Sequence, residues 1–216
     1  MDLSIRSIGF PNPLQLVGRL AAVSIAVLSL SHFCAHAIVE PLLPMIRSTV
    51  GFLESDFTIL GVDFDRDGQS ESIRVRANFS HPVYIAGRML HPMGWDPHTA
   101  GWMQVNITLG GVVQYCLLTL ILVVAWPAKN RDEFALRLIV ALPLMSLSLF
   151  VHVPFTILAE LWFPIHHDFA PGEFWPLLAW SRFLMGGGGF AIAFSMALAS
   201  IAIAARRSTK TRRQML

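Results

Sequence analysis

The chain has 216 residues, of which 54% are hydrophobic and 14% are charged, whereas soluble domains carry about 25% charged residues. This composition excludes an ordinary soluble globular protein. The formal net charge of +2 says little by itself, because the distribution of charge along the chain matters more. The length allows several membrane spans of about 20 residues each together with one small domain.

The first predicted membrane span covers residues 20–39 and follows an N-terminal lead of residues 1–19 that we expect to be cytoplasmic. Glu40 and Pro41 end this apolar run. A cleaved signal peptide is the alternative interpretation, because Ala35-His36-Ala37 has the small-x-small form of a cleavage site. The long lead and the small number of basic residues before the apolar run weaken that alternative.

Residues 40–104 predict a small α+β domain outside the cytoplasm. The segment from Leu42 to Leu53 has apolar residues at a helical spacing, but it is too short and too polar to cross a membrane. The segment from Phe57 to Phe79 contains alternating and β-branched residues on both sides of a polar turn, which predicts a β-hairpin. It is the one long polar, strand-like segment of the sequence.

The predicted turn of this hairpin has the pattern D-x-D-x-D-G-x-x-E, formed by Asp63, Asp65, Asp67, Gly68 and Glu71. Alternate carboxylates on a tight turn can direct their oxygens at one calcium ion. The pattern resembles the calcium loops of integrin-type β-repeats. It is not an EF-hand, since the twelfth loop position is an arginine where a bidentate glutamate is required. A plain turn, with Asp and Gly present for turn geometry, is the other interpretation.

Three further apolar runs predict spans over residues 105–126, 134–158 and 181–205. Residues 127–133 form a short charged loop, residues 159–180 an outer loop rich in aromatic residues and proline, and residues 206–216 a basic tail. Pro143 and Pro154 should kink the third span, which neighbouring helices can tolerate in a membrane.

The basic residues predict the orientation of these four spans. Apart from Arg182 and the basic residues of the hairpin domain, they lie on one side, which the positive-inside rule assigns to the cytoplasm: Arg6, Arg19, Lys129, Arg131, Arg137, Arg206, Arg207, Lys210, Arg212 and Arg213. Both termini are then cytoplasmic, and the hairpin domain lies on the periplasmic side of a cell inner membrane. The basic tail is suited to anionic lipid and is too short to predict nucleic-acid binding.

Histidines supply one alternative function. His32 and His36 lie four residues apart on one helical face, and His152 falls at a similar depth of the third span. Such a set can hold a metal or a haem. The other interpretation is that these histidines occupy polar helix contacts, and no HExxH or CxxCH pattern is present.

The start of the fourth predicted span combines a charge with small residues. Arg182 precedes Gly186, Gly187, Gly188 and Gly189, which allow close helix packing or contact with a partner. The arginine could bind a lipid phosphate or simply extend to the interface. A membrane enzyme acting at the outer interface is a second alternative, with acid–base groups from Glu160, His166, His167 and Arg182, although no spacing singles out a nucleophile.

Several short segments carry a family resemblance: VEPLLP, RVRANFSHPV, HPMGW, GWMQVNITLGGVVQY, AWP and SRFLMGGGGF. Their order resembles the small four-pass membrane proteins encoded with exosortases, the envelope enzymes that process C-terminal sorting signals. The resemblance implies an accessory protein without peptidase chemistry of its own, with an exosortase-like membrane protein as partner. It assigns no functional residue to any position of this sequence.

The sequence therefore predicts an α-helical membrane protein with four transmembrane helices and a small extracytoplasmic domain containing a β-hairpin between helices 1 and 2. We expect a non-catalytic accessory or assembly protein of an envelope sorting or export system. Its predicted partners are membrane lipids and a membrane protein, with no nucleic acid. Calcium is the one cofactor that the sequence suggests.

Overall fold

A computed structural model describes residues 13–67, 70–90 and 103–214. This part of the chain is mostly helical and carries a small antiparallel sheet. The helices and strands, in chain order, are α1 (Pro13–Val39), a 3-10 turn (Glu40–Leu42), α2 (Leu43–Leu53), β1 (Phe57–Asp67), β2 (Ser70–Phe79), β3 (Val83–Ile85), β4 (Arg88–Leu90), β5 (Met103–Thr108), α3 (Leu109–Ala125), α4 (Arg131–Phe169), α5 (Pro176–Phe183), a π-helical turn (Leu184–Gly188) and α6 (Gly189–Gln214).

In the described part of the chain, three helical segments are long and apolar enough to cross a membrane: Pro13–Ser31, Arg131–Phe169 and Pro176–Arg207. Helix α3 is apolar but has only 17 residues. At about 1.5 Å per residue it reaches about 26 Å, somewhat less than a hydrocarbon core of about 30 Å. The helices thus have the length and composition of a membrane protein.

The predicted second span begins four residues too early. Met103–Thr108 forms the strand β5, and the helix starts at Leu109. In this strand Val105 is buried while Gln104 and Asn106 on either side are exposed, which is the alternation of a half-buried strand. Because the run is apolar overall, the change from the two-residue period of a strand to the period of a helix was not recognised in the sequence.

The predicted outer loop 159–180 is also corrected. Helix α4 continues to Phe169, and α5 begins at Pro176. Within this helical part of the supposed loop, Ala159, Leu161, Trp162 and Ile165 are buried. Their spacing places them along one helical face, so Trp162, one of the aromatic residues that suggested an interfacial loop, instead packs in the core.

The predicted hairpin is confirmed. Strands β1 and β2 pair antiparallel from Phe57↔Phe79 to Asp67↔Ser70, with a register shift between Ile59 and Gly61. Strand β5 pairs with the other side of β2, giving the order β1-β2-β5, and β3 and β4 form a separate two-stranded sheet. The turn of this hairpin was predicted to begin at Asp63. That prediction is wrong, because Asp63 and Asp65 lie within β1.

The helix α2, predicted between Leu42 and Leu53, is confirmed. Pro44 lies in its first turn, where a missing N–H costs no hydrogen bond. Ile46 and Val50 are buried four residues apart. These two side chains form the apolar face by which the helix packs in the domain.

Contacts divide the chain into two compact units. Of the described residues, the first unit comprises 13–33, 116–145 and 192–214. Its core contains Val123, Ala141 and Ala197. The hydroxyl of Thr119 donates to the carbonyl of Ala193 at 3.3 Å, which fixes α3 against α6 within this unit.

A buried charge network connects α3 to α4 in the first unit. The Asn130 side chain caps α4 by accepting the N–H of Glu133 at 3.0 Å. Arg137 forms an ion pair with Glu133, and both side chains are nearly inaccessible, at 2% and 3%. Arg137 also donates to the carbonyls of Trp126 at 2.9 Å and Pro127 at 3.0 Å. An arginine that the sequence suggested to be a solvated flanking charge is therefore a structural one.

The second unit comprises residues 34–67, 70–90, 103–115 and 146–191 of the described chain. Aromatic rings from the sheet and from α4 meet in its core. Phe57 stacks on Phe79 with ring centroids 5.2 Å apart, and Trp162 contacts Phe57 edge-on at 4.9 Å. Trp175 meets Trp162 at 4.7 Å and His166 at 3.8 Å. The sheet and the end of α4 are therefore one packed body.

Candidate functional site

An open groove lies between helix α2 and strand β1 in the second unit. It encloses about 710 Å³, within the range of about 300–1,000 Å³ typical of small-molecule sites. Its walls are formed by one helix and one strand. The lining residues are Leu43, Pro44, Arg47, Ser48, Gly51, Ile59, Leu60, Gly61, Val62, Asp63 and Arg76.

The sequence of α2 explains the helical wall. Leu43, Arg47 and Gly51 recur at intervals of four residues, so they lie on one helical face. Ile46 and Val50, on the adjacent face, are buried. The helix ends at Glu54, whose extended backbone (φ −137°, ψ 105°) leads into β1. The helix therefore packs in the domain through one face, and a neighbouring face lines the groove.

The strand wall is a sheet edge. Among the described strands, β1 pairs with β2 on one side only. The register shift between Ile59 and Gly61 marks a bulge, and Leu60, at the bulge, is 50% exposed although it is a large apolar residue. An edge strand presents backbone N–H and C=O groups that can pair with another extended chain.

The charge of the groove comes from two arginines and one aspartate. Arg76 forms an ion pair with Asp63, with Nη2 and Oδ2 2.6 Å apart. Gly61 lies opposite Arg76 in the sheet, and a Cβ at Gly61 would come within 2.9 Å of the guanidinium. A side chain at this position would require the guanidinium to shift from where it pairs with Asp63.

Arg47 differs from Arg76 in having no ion pair with any residue in the described part of the chain. Its side chain is exposed and lines the groove. With Asp63 neutralised by Arg76, the charge of Arg47 remains uncompensated. The groove therefore favours a ligand with an acidic group.

The carboxylates of the predicted calcium loop are arranged differently from a cation site. Asp63 pairs with Arg76, and Asp65 pairs with Arg74. Glu71 lies opposite Arg66 in the β1–β2 register. The side chain of Asp67 and the whole of Gly68 lie outside the described residues. Calcium binding at this loop stays a prediction.

The predicted histidine site receives no geometric support from the described side chains, which contain no group of three or more metal-ligating residues. His36 stacks on Phe64 at 4.2 Å and lies 3.8 Å from Glu40. His152 contacts Tyr115 edge-on at 5.0 Å. The side chain of His32 is not among those described. A metal or haem site using His32, His36 and His152 stays a prediction.

The four glycines before α6 are explained in part by aromatic rings of the same unit. A side chain at Gly188 would collide with the ring of Phe183, and one at Gly189 with the ring of Tyr115. Gly187 has φ +110°, which L residues rarely adopt. The Tyr115 hydroxyl donates to the carbonyl of Leu184 in this turn at 3.2 Å. Gly186 faces open space.

Three of the four residues proposed for an interfacial enzyme come together. His166, His167 and Arg182 line one cavity at the turn between α4 and α5, and Glu173 joins them there. Glu160 is not among the lining residues. The sequence singled out this cluster through its charges, and an enzyme that uses Glu160 together with it stays a prediction.

A polar clamp at the open end of the hairpin was missed. His81 lies 3.1 Å from Asp56 through Nε2 and 2.8 Å from the Ser80 hydroxyl through Nδ1. The Ser80 hydroxyl donates to the carbonyl of Ser55 at 2.5 Å. The Ser80 hydroxyl is thus shared between a backbone carbonyl and the His81 ring. The adjacent residues Ser80 and His81 were the only signal in the sequence.

Comparison of the chain with family models, with curated proteins and with solved structures finds no match.

Proposed function

We propose that this chain is a non-catalytic multi-pass membrane protein that presents the second unit's sheet to a partner protein. In this proposal the short helix α3 also crosses the membrane, which brings the number of spans to four. The sheet is extracytoplasmic, and both termini lie on the cytoplasmic side of a cell inner membrane. The basic residues supporting that orientation lie up to Arg19 near the start of α1, at Lys129 and Arg131 around the start of α4, and at the C-terminal end of α6. Arg137 contributes less to it than expected, because it is buried in an ion pair.

The observation that carries the proposal is the edge strand β1 beside the groove. An extended segment of a partner can add to the free side of such a strand, with backbone hydrogen bonds giving affinity. The exposed Leu60 offers an apolar contact, and Arg47 offers a charge for an acidic side chain or a terminal carboxylate. Binding of an extended segment is the chemistry expected of an accessory that handles sorting or export sequences.

The partner class in this proposal is an envelope protein-sorting or export protein of the exosortase type. The support for that class is the order of parts in the sequence, from the VEPLLP segment to SRFLMGGGGF.

Site-specific photo-crosslinking in native membranes tests this function. A photoreactive residue is placed at Leu60 or at Ser48, on the two walls of the groove, and at the exposed Tyr84 of β3 as the matched control. We expect the same envelope-processing or export protein to be crosslinked from both groove positions and not from Tyr84. The variant Arg47→Glu should weaken both adducts.

Two results would contradict the proposal. One is labelling at Leu60 and Ser48 that does not exceed the labelling at Tyr84. The other is crosslinking only to a second copy of this chain, which would make the edge strand a self-association site.

A further inference from the structure

The cavity at the α4–α5 turn is a second site, distinct from the groove. It encloses about 330 Å³, enough for a small polar headgroup. Both charged and apolar residues line it. The lining residues are Phe163, His166, His167, Ala170, Pro171, Gly172, Glu173, Phe174, Trp175, Leu178, Ala179 and Arg182.

The turn that forms this cavity has a defined backbone. The N–H of Ala170 donates to the carbonyl of His166 at 3.0 Å, and the N–H of Glu173 donates to the carbonyl of Ala170 at 3.2 Å. Pro171 and Gly172 (φ +91°) occupy the two central positions of the second of these turns, where a type II β-turn favours proline and glycine. Pro176 then starts α5. The cavity is therefore built by local structure as well as by side chains.

Its inner wall is held by the aromatic core. His166 packs on Trp175, and Trp175 packs on the buried Trp162. The Nδ1 atom of His166 is inaccessible to solvent and has no hydrogen-bond partner among the described residues. This wall thus offers a fixed aromatic surface and a nitrogen whose hydrogen bond the protein does not supply.

The cavity contains one cation and one anion that do not pair with each other. In the described part of the structure, Arg182 makes no ion pair or hydrogen bond, and Glu173 makes no ion pair. Both side chains are exposed at the cavity. A ligand that carries a negative and a positive group at separate positions can satisfy both.

The position along the chain indicates where such a ligand would come from. The turn joins the two helical segments Arg131–Phe169 and Pro176–Arg207, each long and apolar enough to cross a membrane, so it lies on the side of the bilayer where both of them end. Phe163, Phe174 and Trp175 are the kind of residues that concentrate at a membrane–water interface. A lipid headgroup at this level would have its acyl chains in the adjacent hydrocarbon.

We propose that this cavity binds the headgroup of a phospholipid of the ethanolamine type, with its phosphate at Arg182 and its ammonium group at Glu173. Arginine binds phosphate oxygens through several N–H donors. The aromatic walls contact the ammonium group and the glycerol region. A soluble phosphoethanolamine has the same two charges, and the test separates these two sources.

Native mass spectrometry of the purified full chain in detergent provides the test. Phosphatidylethanolamine, phosphatidylglycerol of the same acyl chains, soluble phosphoethanolamine and inorganic phosphate are added separately at matched concentrations. We expect phosphatidylethanolamine to bind in preference to phosphatidylglycerol, and its apparent affinity to fall about tenfold in Arg182→Gln, the loss expected for one charge-assisted contact.

The variant Glu173→Gln gives the sharper readout. It removes the ammonium partner and keeps the phosphate partner, so it should abolish the preference for phosphatidylethanolamine over phosphatidylglycerol while still binding both. Arg131→Gln and Asp132→Asn, which change exposed charges at the start of α4, are the matched controls and should leave both lipids unaffected. Unchanged thermal unfolding of each variant shows that the fold persists.

The proposal is overturned if phosphatidylglycerol binds the wild-type chain as well as phosphatidylethanolamine does, or if Glu173→Gln leaves the preference unchanged. It is also overturned if phosphoethanolamine or phosphate alone binds as tightly as the lipid, because the ligand would then be a soluble phosphate compound. Loss of binding in the Arg131→Gln control would show nonspecific charge attraction and has the same consequence.

Discussion

The two units of the chain use arginine–carboxylate pairs in opposite ways. In the first unit Arg137 and Glu133 are both nearly inaccessible, at 2% and 3%. In the second unit Arg76 and Asp63 are 42% and 54% exposed. A buried pair must be retained as a whole, because either partner alone is a buried, uncompensated charge. An exposed pair is screened by water and contributes little to stability. The same chemical contact is thus structural in one unit and available for function in the other.

The largest effect is expected where the buried pair is broken. Arg137→Met should reduce the free energy of unfolding by about 3–5 kcal/mol, because it leaves Glu133 buried without its partner. It also removes the donors to the carbonyls of Trp126 and Pro127. Thermal or denaturant unfolding in detergent measures the loss.

The double variant Arg137→Met with Glu133→Leu separates these two causes. It removes the unpaired carboxylate but leaves the two carbonyls unsatisfied, so we expect it to recover part of the lost stability. If Arg137→Met alone costs less than about 1 kcal/mol, the value typical of exposed pairs, the contrast between the two units is wrong.

The stability of the second unit should be sensitive to substitution where a glycine lies directly against an aromatic ring. Gly189→Ala places a methyl group against the Tyr115 ring, and overpacking of this kind costs about 1–3 kcal/mol. Gly186→Ala is the matched control: a methyl group there meets nothing within 4 Å, and alanine favours a helix over glycine. Equal unfolding temperatures for the two variants would contradict the packing explanation.

The exposed pair is expected to give the smallest change in stability. Asp63→Asn should lower the free energy of unfolding by at most about 1 kcal/mol, and salt should reduce the difference further. A double-mutant cycle with Arg76→Gln at low and high salt measures the coupling. A coupling energy above about 2 kcal/mol that persists in high salt would show that this exposed pair stabilises the fold as a buried pair does, which contradicts the comparison.

The sequence predicted regular elements well where one periodicity ran through a segment. The hairpin from Phe57 to Phe79 and helix α2 followed from their spacing of apolar residues. Residues 105–108 and 159–169 were misassigned, because an apolar run is compatible with a strand and aromatic residues are compatible with a loop as well as with a buried helix face. Only tertiary packing distinguishes these cases.

Sites were harder to predict than elements. Arg182, His166 and His167 could be singled out from their types, and Glu173 lines the same cavity whereas Glu160 does not. The groove depends on α2 packing beside β1 and on a bulge at Leu60, and neither feature leaves a mark in the local sequence. Burial of Arg137 likewise depends on the carbonyls at the end of α3.

Glu54, between α2 and β1, is a carboxylate that is partly buried without an arginine partner in the described part of the structure. Burial raises the pKa of Glu54 above its ordinary value, the nearby charge of Asp56 raises it further, and the Trp162 side chain acts in the opposite direction. The folded chain therefore holds this proton to a higher pH than the unfolded chain does. Between the ordinary and the raised pKa the folded state binds more protons, so its stability falls as the pH rises through that window.

Glu54→Gln should flatten this part of the curve of unfolding free energy against pH, measured at closely spaced pH values. A paired carboxylate with a lowered pKa would give the opposite slope, so a wild-type stability that rises through the window and flattens in Glu54→Gln would contradict the assignment.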